Sequence, residues 1–178
     1  GLKGVVVDVF PRHSLLDRPP VANADRILLV FALAEPALDP FLLSKFLVKA
    51  ESTGLQVSLC LNKSDLVTEI QQQEWCDRLG EWGYQPIVIS VENGMGVREL
   101  QIELDRQITV FAGHSGVGKS SLTNALIPDS NIRVATVSGK LSRGRHTTRH
   151  VQLFTMPTGG LIADTPGFNQ PDLTCNPT

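Results

Sequence analysis

Cysteine is scarce in these 178 residues: Cys60, Cys76 and Cys175 are the only three, and they lie far apart. An odd number at that spacing supports neither a disulfide framework nor a metal-ligand cluster. Cys60 falls inside an apolar run, where a reduced thiol behaves as a small core side chain. An excess of positive charge is also missing. Sixteen Lys and Arg stand against eighteen Asp and Glu, a formal net charge of −2, so no global field draws in nucleic acid and any such contact must come from a local patch. No apolar run is long enough to span a bilayer, and no signal-peptide pattern opens the chain. These gaps lead to the expectation of a soluble, cytoplasmic protein with no membrane partner. Internal repeats and low-complexity segments are lacking too, which excludes solenoid and disordered architectures.

What is present suffices for one core: 42% of residues are hydrophobic and 19% charged. "GLKGVVVDVF" opens as an apolar, strand-like run, and "PRHSLLDRPPVAN" follows with three prolines and no period, which predicts a linker. "RILLVFAL" is continuously apolar, as a strand buried on both faces must be. Asp39-Pro40 supplies an N-cap and a first-turn proline for a helix through "FLLSKFLVKAEST" that Gly54 stops. "LQVSLCL" is the next strand, and Thr68 with Gln71 forms a capping-box pattern for the helix over 68–83. Strands are predicted at "QPIVIS", "ITVFAG", "VQLFTM" and "GLIADTPG", with helices over 96–107 and from Lys119 to Leu126. Repeated strand–helix alternation predicts an α/β protein, a P-loop NTPase-type three-layer sandwich with a mostly parallel sheet. The chain reads as cut at both ends, with 25–170 as the globular domain, 1–24 before it and 171–178 leading away.

Three motifs carry chemistry. "GHSGVGKSS", between an apolar strand and a helix, satisfies the phosphate-loop pattern through Gly113, Gly118, Lys119 and Ser120. Such a loop curls so that the backbone N–H groups of His114, Ser115, Gly116 and Val117 face phosphates, aided by the helix N-terminus. Lys119 places a point charge on the β- and γ-phosphates, Ser120 a hydroxyl on Mg2+, and Ser121 reaches the α-phosphate. "NKSD" closes the "LQVSLCL" strand, at the strand end where α/β sheets bind ligands. Asp65 can accept two hydrogen bonds from guanine N1–H and its exocyclic amine, which adenine does not offer. A carboxylate buried against adenine would stay unpaired, so this residue type discriminates strongly. Lys63 lies along base and sugar, Asn62 ties the loop to the phosphate loop, and Ser64 completes the tetrad. Ser90 and Val91 end "IVIS" where a second base loop would sit, with a backbone N–H near Val91 toward the guanine oxygen. "DTPG" places Asp164 to hold Mg2+ through water and the Gly167 N–H to sense the γ-phosphate.

Between the phosphate loop and "DTPG" lies "LSRGRHTTRH". A threonine there, Thr147 or Thr148, is needed as the second hydroxyl on Mg2+. Lys140, Arg143, Arg145 and Arg149 gather on the same segment, and a basic cluster on the part that responds to nucleotide state suits a phosphate backbone, RNA above all.

The parts of a guanine-nucleotide switch are all here, in the order base reader, second base loop, phosphate loop, switch threonine, Asp-x-x-Gly. Cutting the usual order after "DTPG" and joining the old ends through the helix over 96–107 produces this arrangement without changing strand neighbours. In that order "NKSD", "GHSGVGKSSL", "GRHTTRH" and "DTPGF" resemble the circularly permuted ribosome small-subunit-dependent GTPase A family (RsgA, YjeQ/EngC-type). The resemblance implies GTP hydrolysis to GDP in late maturation of the small (30S) ribosomal subunit, which stimulates the reaction. It implies the small subunit and its rRNA as partners, and GTP/GDP with Mg2+ as ligands; the chain itself is expected to act as a monomer. It also implies an N-terminal OB-fold, of which a strand would remain here, and a zinc domain beyond residue 178 to which any zinc ligands belong. Many GTPases carry a water-orienting glutamine after "DTPG", and this chain has Phe168 instead. His146 is the expected substitute, with Lys119 stabilising transition-state charge. Two other readings stay open: an ATP-using phosphoryl-transfer enzyme, and a nucleotide-occupancy module that barely hydrolyses.

Overall fold

The structure is a computed structural model that describes residues 7–17, 20–127 and 152–164. Two short strands, β1 (Leu15–Asp17) and β2 (Pro20–Ala22), pair antiparallel ahead of the main sheet, with Leu16 opposite Val21. The linker predicted here is therefore a small hairpin. Leu16 and Val21 both bury against the main core, and Pro20 stands at the first residue of its strand, where a missing N–H costs least. The strand predicted over the first ten residues is not seen in its described part. Residues 7–10 have no regular structure, and Val7, Val9 and Phe10 are exposed. A strand needs a neighbour to take up its N–H and C=O groups, and among the described strands none pairs with this segment.

The main sheet follows as β3 (Arg26–Ala32), α1 (Pro40–Glu51), β4 (Gln56–Asn62), α2 (Glu69–Glu81), β5 (Ile87–Val88), α3 (Val97–Glu103), β6 (Ile108–Ala112), α4 (Lys119–Leu126), β7 (Gln152–Thr155) and β8 (Leu161–Asp164). Six strands stand in the order β5-β4-β3-β6-β8-β7. All neighbours are parallel except β7, which lies antiparallel on the edge. Both predicted caps form: Asp39 accepts from the Phe41 and Leu42 amides, and Thr68 and Gln71 complete a capping box. Two elements are shorter than predicted. β5 keeps only two residues of the run 85–90, since it pairs on one side alone. α3 stops at Glu103, and Arg106 adopts a left-handed φ of 54° that turns the chain into β6.

Continuous hydrophobicity in β3 is explained by burial on both faces. Ile27, Leu29 and Phe31 join Leu43 and Phe46 of α1 and Leu79 of α2. Leu28, Val30 and Ala32 point the other way, to Leu100 of α3 and Leu122 of α4. This is the predicted three-layer sandwich. Cys60 sits in the second layer, and burial pushes its thiol pKa well up, as suits an inert core residue. At the base of the sheet, Arg26 Nη1 donates to Glu103 Oε1 at 2.5 Å, and Ser58 Oγ donates to the same oxygen at 3.2 Å. That pair fastens the end of α3, the joining helix, beneath the first strand of the sheet.

Tyr84 gives the fold a pH dependence. Its hydroxyl donates to Glu51 Oε1 at 2.8 Å. Burial, then the hydrogen bond to Glu51 and the charge of that carboxylate, push its pKa up to about 12. The folded state holds this proton more tightly than the unfolded chain, whose tyrosine titrates near 10. The contribution is complete below about pH 10 and is lost as pH rises toward 12. Urea unfolding midpoints of wild type should therefore fall faster than those of Tyr84→Phe between about pH 9.5 and 11.5. Parallel declines would remove the Glu51 bond as a source of stability.

Candidate functional site

The phosphate loop is shaped by contacts from strands beside it. β6 delivers the chain to Gly113, whose φ is 147° and where an added Cβ would meet the Val30 carbonyl oxygen at 2.1 Å. Gly118, with φ 98°, would put a Cβ 2.4 Å from Asn62 Nδ2. Both motif glycines are thus demanded by close approach as well as by a left-handed backbone. α4 starts at Lys119, so its unpaired amides and positive dipole end face the hollow of the loop. Lys119 Nζ donates to the carbonyls of Gly113 at 2.6 Å and His114 at 2.9 Å. The ammonium is therefore already folded over the loop it serves. His114 and Ser115 are exposed, and His114 Nδ1 lies 2.8 Å from the Ser115 carbonyl oxygen.

Asn62 is the hinge between loops. At the end of β4 and only 2% exposed, it donates from Nδ2 to the Val117 carbonyl at 2.9 Å. Its Oδ1 accepts from the Val91 amide at 3.3 Å. One buried amide side chain therefore joins the phosphate loop, the "NKSD" loop and the Ser90–Val91 loop, which are far apart in sequence. The Val91 N–H, expected near a base oxygen, is engaged here by that long bond. Ser90 contributes more than position: its hydroxyl donates to Asp65 Oδ1 at 2.5 Å and fixes the carboxylate's orientation. Asp65 itself is exposed, not buried. The desolvation that makes a carboxylate selective would have to come from the base that covers it.

Lys63 takes a left-handed φ of 61°, and its ammonium donates to the Glu35 carbonyl. Ser64, counted with the tetrad as a contact, points inward instead. It is 1% exposed, its amide donates to the Ile89 carbonyl at 3.1 Å, and its own carbonyl accepts from Gln72 Nε2 at 3.0 Å. It braces the loop and does not face the cleft.

Asn62, Lys63, Asp65, Leu66, Val91, Glu92, Gly118 and Ser121 line one cleft of about 440 Å³. That volume is of the order that holds a nucleotide-sized ligand. Leu66, Glu92 and the Glu35 carbonyl were not foreseen. Leu66 and Glu92 lie beside motifs that drew attention to other residues, and Glu35 acts through its backbone, which carries no residue signature. Asp164 ends β8 at the level of Phe111, one strand from the phosphate loop. Ser120 stands on the first turn of α4. Two oxygen-bearing residue types beside a phosphate loop are the donor chemistry of a hard cation such as Mg2+. Lys140, Arg143, Arg145, His146, Thr147, Thr148, Arg149 and Gly167 lie outside the described residues. Among the described residues no helix is long and apolar enough to cross a membrane.

Comparison with known proteins accounts for this constellation. A relative from Nostoc sp., named small ribosomal subunit biogenesis GTPase RsgA 1, is 64% identical over 177 residues, 99% of this chain and 48% of the relative. One from Synechocystis sp., named small ribosomal subunit biogenesis GTPase RsgA, is 60% identical over 174 residues, 98% of this chain and 47% of the relative. The chain thus spans about half the length of the curated relatives it matches. The crystal structure of YjeQ from Thermotoga maritima superposes with a TM-score of 0.72 at 36% identity, over 90% of this chain and 54% of that one. YloQ, described as a circularly permuted GTPase, gives 0.71 at 34% identity, over 94% of this chain and 53% of that one. The motif order and the sheet are those of a circularly permuted α/β P-loop fold. With the RsgA GTPase sequence model matching residues 9–174, the chain belongs to the RsgA GTPase family.

Proposed function

We propose that this domain binds GTP with Mg2+ and hydrolyses it to GDP and phosphate, acting in the cytoplasm during late maturation of the small ribosomal subunit. The observation that carries the reading is the Asn62 side chain, bonded at once to the Val117 carbonyl and the Val91 amide. It sets Asp65, Gly118 and Ser121 along a single cleft. In this reading Asp65 and the Ser90–Val91 loop read guanine, and Lys63 covers base and sugar. The amides of residues 113–118 with Lys119 and Ser121 hold the phosphates, and the Gly167 amide senses the γ-phosphate. Ser120, Thr147 or Thr148, and Asp164 through water would hold Mg2+, which neutralises charge developing on the transferred phosphoryl group. Lys119 adds a second positive charge on the same oxygens.

His146 orients the attacking water once Lys140, Arg143, Arg145 and Arg149 contact RNA. Support for this step comes from the sequence: a basic cluster beside the switch threonines, and Phe168 where a water-orienting glutamine is common. The domain, taken as 25–170 with 1–24 leading into it and 171–178 leading away, acts as a monomer. The names of the relatives support the ribosomal setting.

Single-turnover GTP hydrolysis with and without small subunits tests the proposal. Subunits should accelerate wild type strongly, and His146→Ala should lose roughly 10²-fold or more of the stimulated rate with GTP affinity unchanged. Undiminished stimulation of the variant would move the water-orienting role elsewhere. ATP displacing labelled GTP would make the protein an ATP-using enzyme. No stimulated hydrolysis at all would leave a module that works by occupancy.

A further inference from the structure

The second residue of the phosphate loop carries an imidazole. His114 borders an almost wholly apolar hollow beside Leu38 and Leu42, on the α1 side of the loop, rather than the cleft that Asp65 and Ser121 line. Its Nδ1 lies 2.8 Å from the Ser115 carbonyl oxygen. A carbonyl oxygen accepts and never donates, so the bond requires the ring proton on Nδ1. The two preceding carbonyls, of Gly113 and His114, accept from the Lys119 ammonium instead. The Ser115 carbonyl is thus the first in the loop to turn to another partner.

The direction of that carbonyl decides the direction of an amide. A trans peptide is planar, and its N–H stands opposite its C=O. The N–H on the far side of the Ser115 carbonyl belongs to Gly116. While the imidazole holds the oxygen, the Gly116 N–H points away from the ring. Gly116 has a φ of 85°, and with no Cβ it tolerates either orientation of the peptide before it. Glycine therefore lets the loop curl without choosing which way its amide faces. Reversed, the peptide would set a carbonyl oxygen against phosphate oxygens, and neither acceptor would find a donor.

We propose that His114 is a positioning residue for phosphate binding. Its Nδ1–H holds the Ser115–Gly116 peptide in the one orientation that lets the Gly116 amide donate to a phosphate oxygen. The ring itself touches no phosphate. The inference rests on reading this loop as a phosphate cradle, and it holds whichever base the cleft takes. A loop already in the competent orientation binds more tightly in proportion to the fraction of molecules so arranged. One neutral hydrogen bond at an exposed site biases that fraction roughly three- to tenfold.

Two measurements on the whole chain test it. Nitrogen NMR of the His114 ring without nucleotide, followed up the pH scale until the ring is neutral, should find the proton on Nδ1. A neutral ring protonated on Nε2 would overturn the proposal. Calorimetric titration with GDP should give roughly three- to tenfold weaker binding for His114→Ala than for wild type. His114 is exposed, so truncating it leaves the core intact. His114→Asn should return the affinity to within about twofold of wild type, because its amide nitrogen, like Nδ1, is a donor two bonds beyond Cβ. Unchanged affinity in His114→Ala, or an equal loss in both variants, would overturn the role. Wild type that bound ADP in place of GDP would overturn the proposed function, and the same variants titrated with ADP would still decide the role of His114. Binding of neither would overturn both.

Discussion

Replacing Asp65 with asparagine is expected to weaken GTP binding by roughly 10²–10⁴-fold, through two lost charge-assisted hydrogen bonds and a donor left facing guanine's donors. The amide of Asn presents an N–H where the exocyclic amine of guanine also donates. Xanthine carries a carbonyl at that position, so Asp65→Asn should bind XTP better than GTP. The fold should be untouched. Asp65 is exposed, and the Ser90 hydroxyl that now donates to Oδ1 can donate to the side-chain carbonyl of Asn in the same way. Calorimetric titration of wild type and variant with both nucleotides decides the matter. Unchanged GTP affinity in Asp65→Asn would mean that this loop does not read the base.

Lys119→Met is expected to cost about 10²–10³-fold in GTP affinity, since a methionine of similar length keeps the packing but removes a cation from the β- and γ-phosphates. The ammonium's bonds to the Gly113 and His114 carbonyls bear on this expectation. Phosphate oxygens must draw the lysine from those carbonyls, so the measured loss is the net of two competing sets of bonds. In the variant the same carbonyls turn to water, which is at hand because His114 is exposed. Thermal unfolding should therefore move little while nucleotide binding collapses. A matching drop in melting temperature would mean that the lysine holds the loop together rather than its ligand.

The places of these two residues in the fold were legible from sequence because their setting is local. A lysine following glycine at the start of a helix, and an acidic residue just past a buried strand, are defined by their nearest neighbours. The same holds for the caps at Asp39 and Thr68, and for β3, whose unbroken apolar run announces burial on both faces. Misreadings fell where local and distant preferences conflict. Three prolines predicted a linker over residues 11–23, yet the burial of Leu16 and Val21 against the main core makes a hairpin there. Ser64 sits inside a tetrad known for binding, and the turn that presents Asp65 directs it inward instead.

The sequence by itself determined the parts: a phosphate loop, a guanine-type tetrad, an acidic strand end, and a chain order that only a permuted sheet can reconcile. Tertiary structure alone decided how the parts meet. Asn62 and Val117 stand 55 positions apart, Lys63 and Glu35 28 apart, and Ser90 and Asp65 25 apart. None of these pairs has a spacing that periodicity could reveal. They exist because β5, β4, β3 and β6 are successive neighbours in the sheet, and neighbours in a sheet are chosen by burial summed over the whole core rather than by any one stretch of chain.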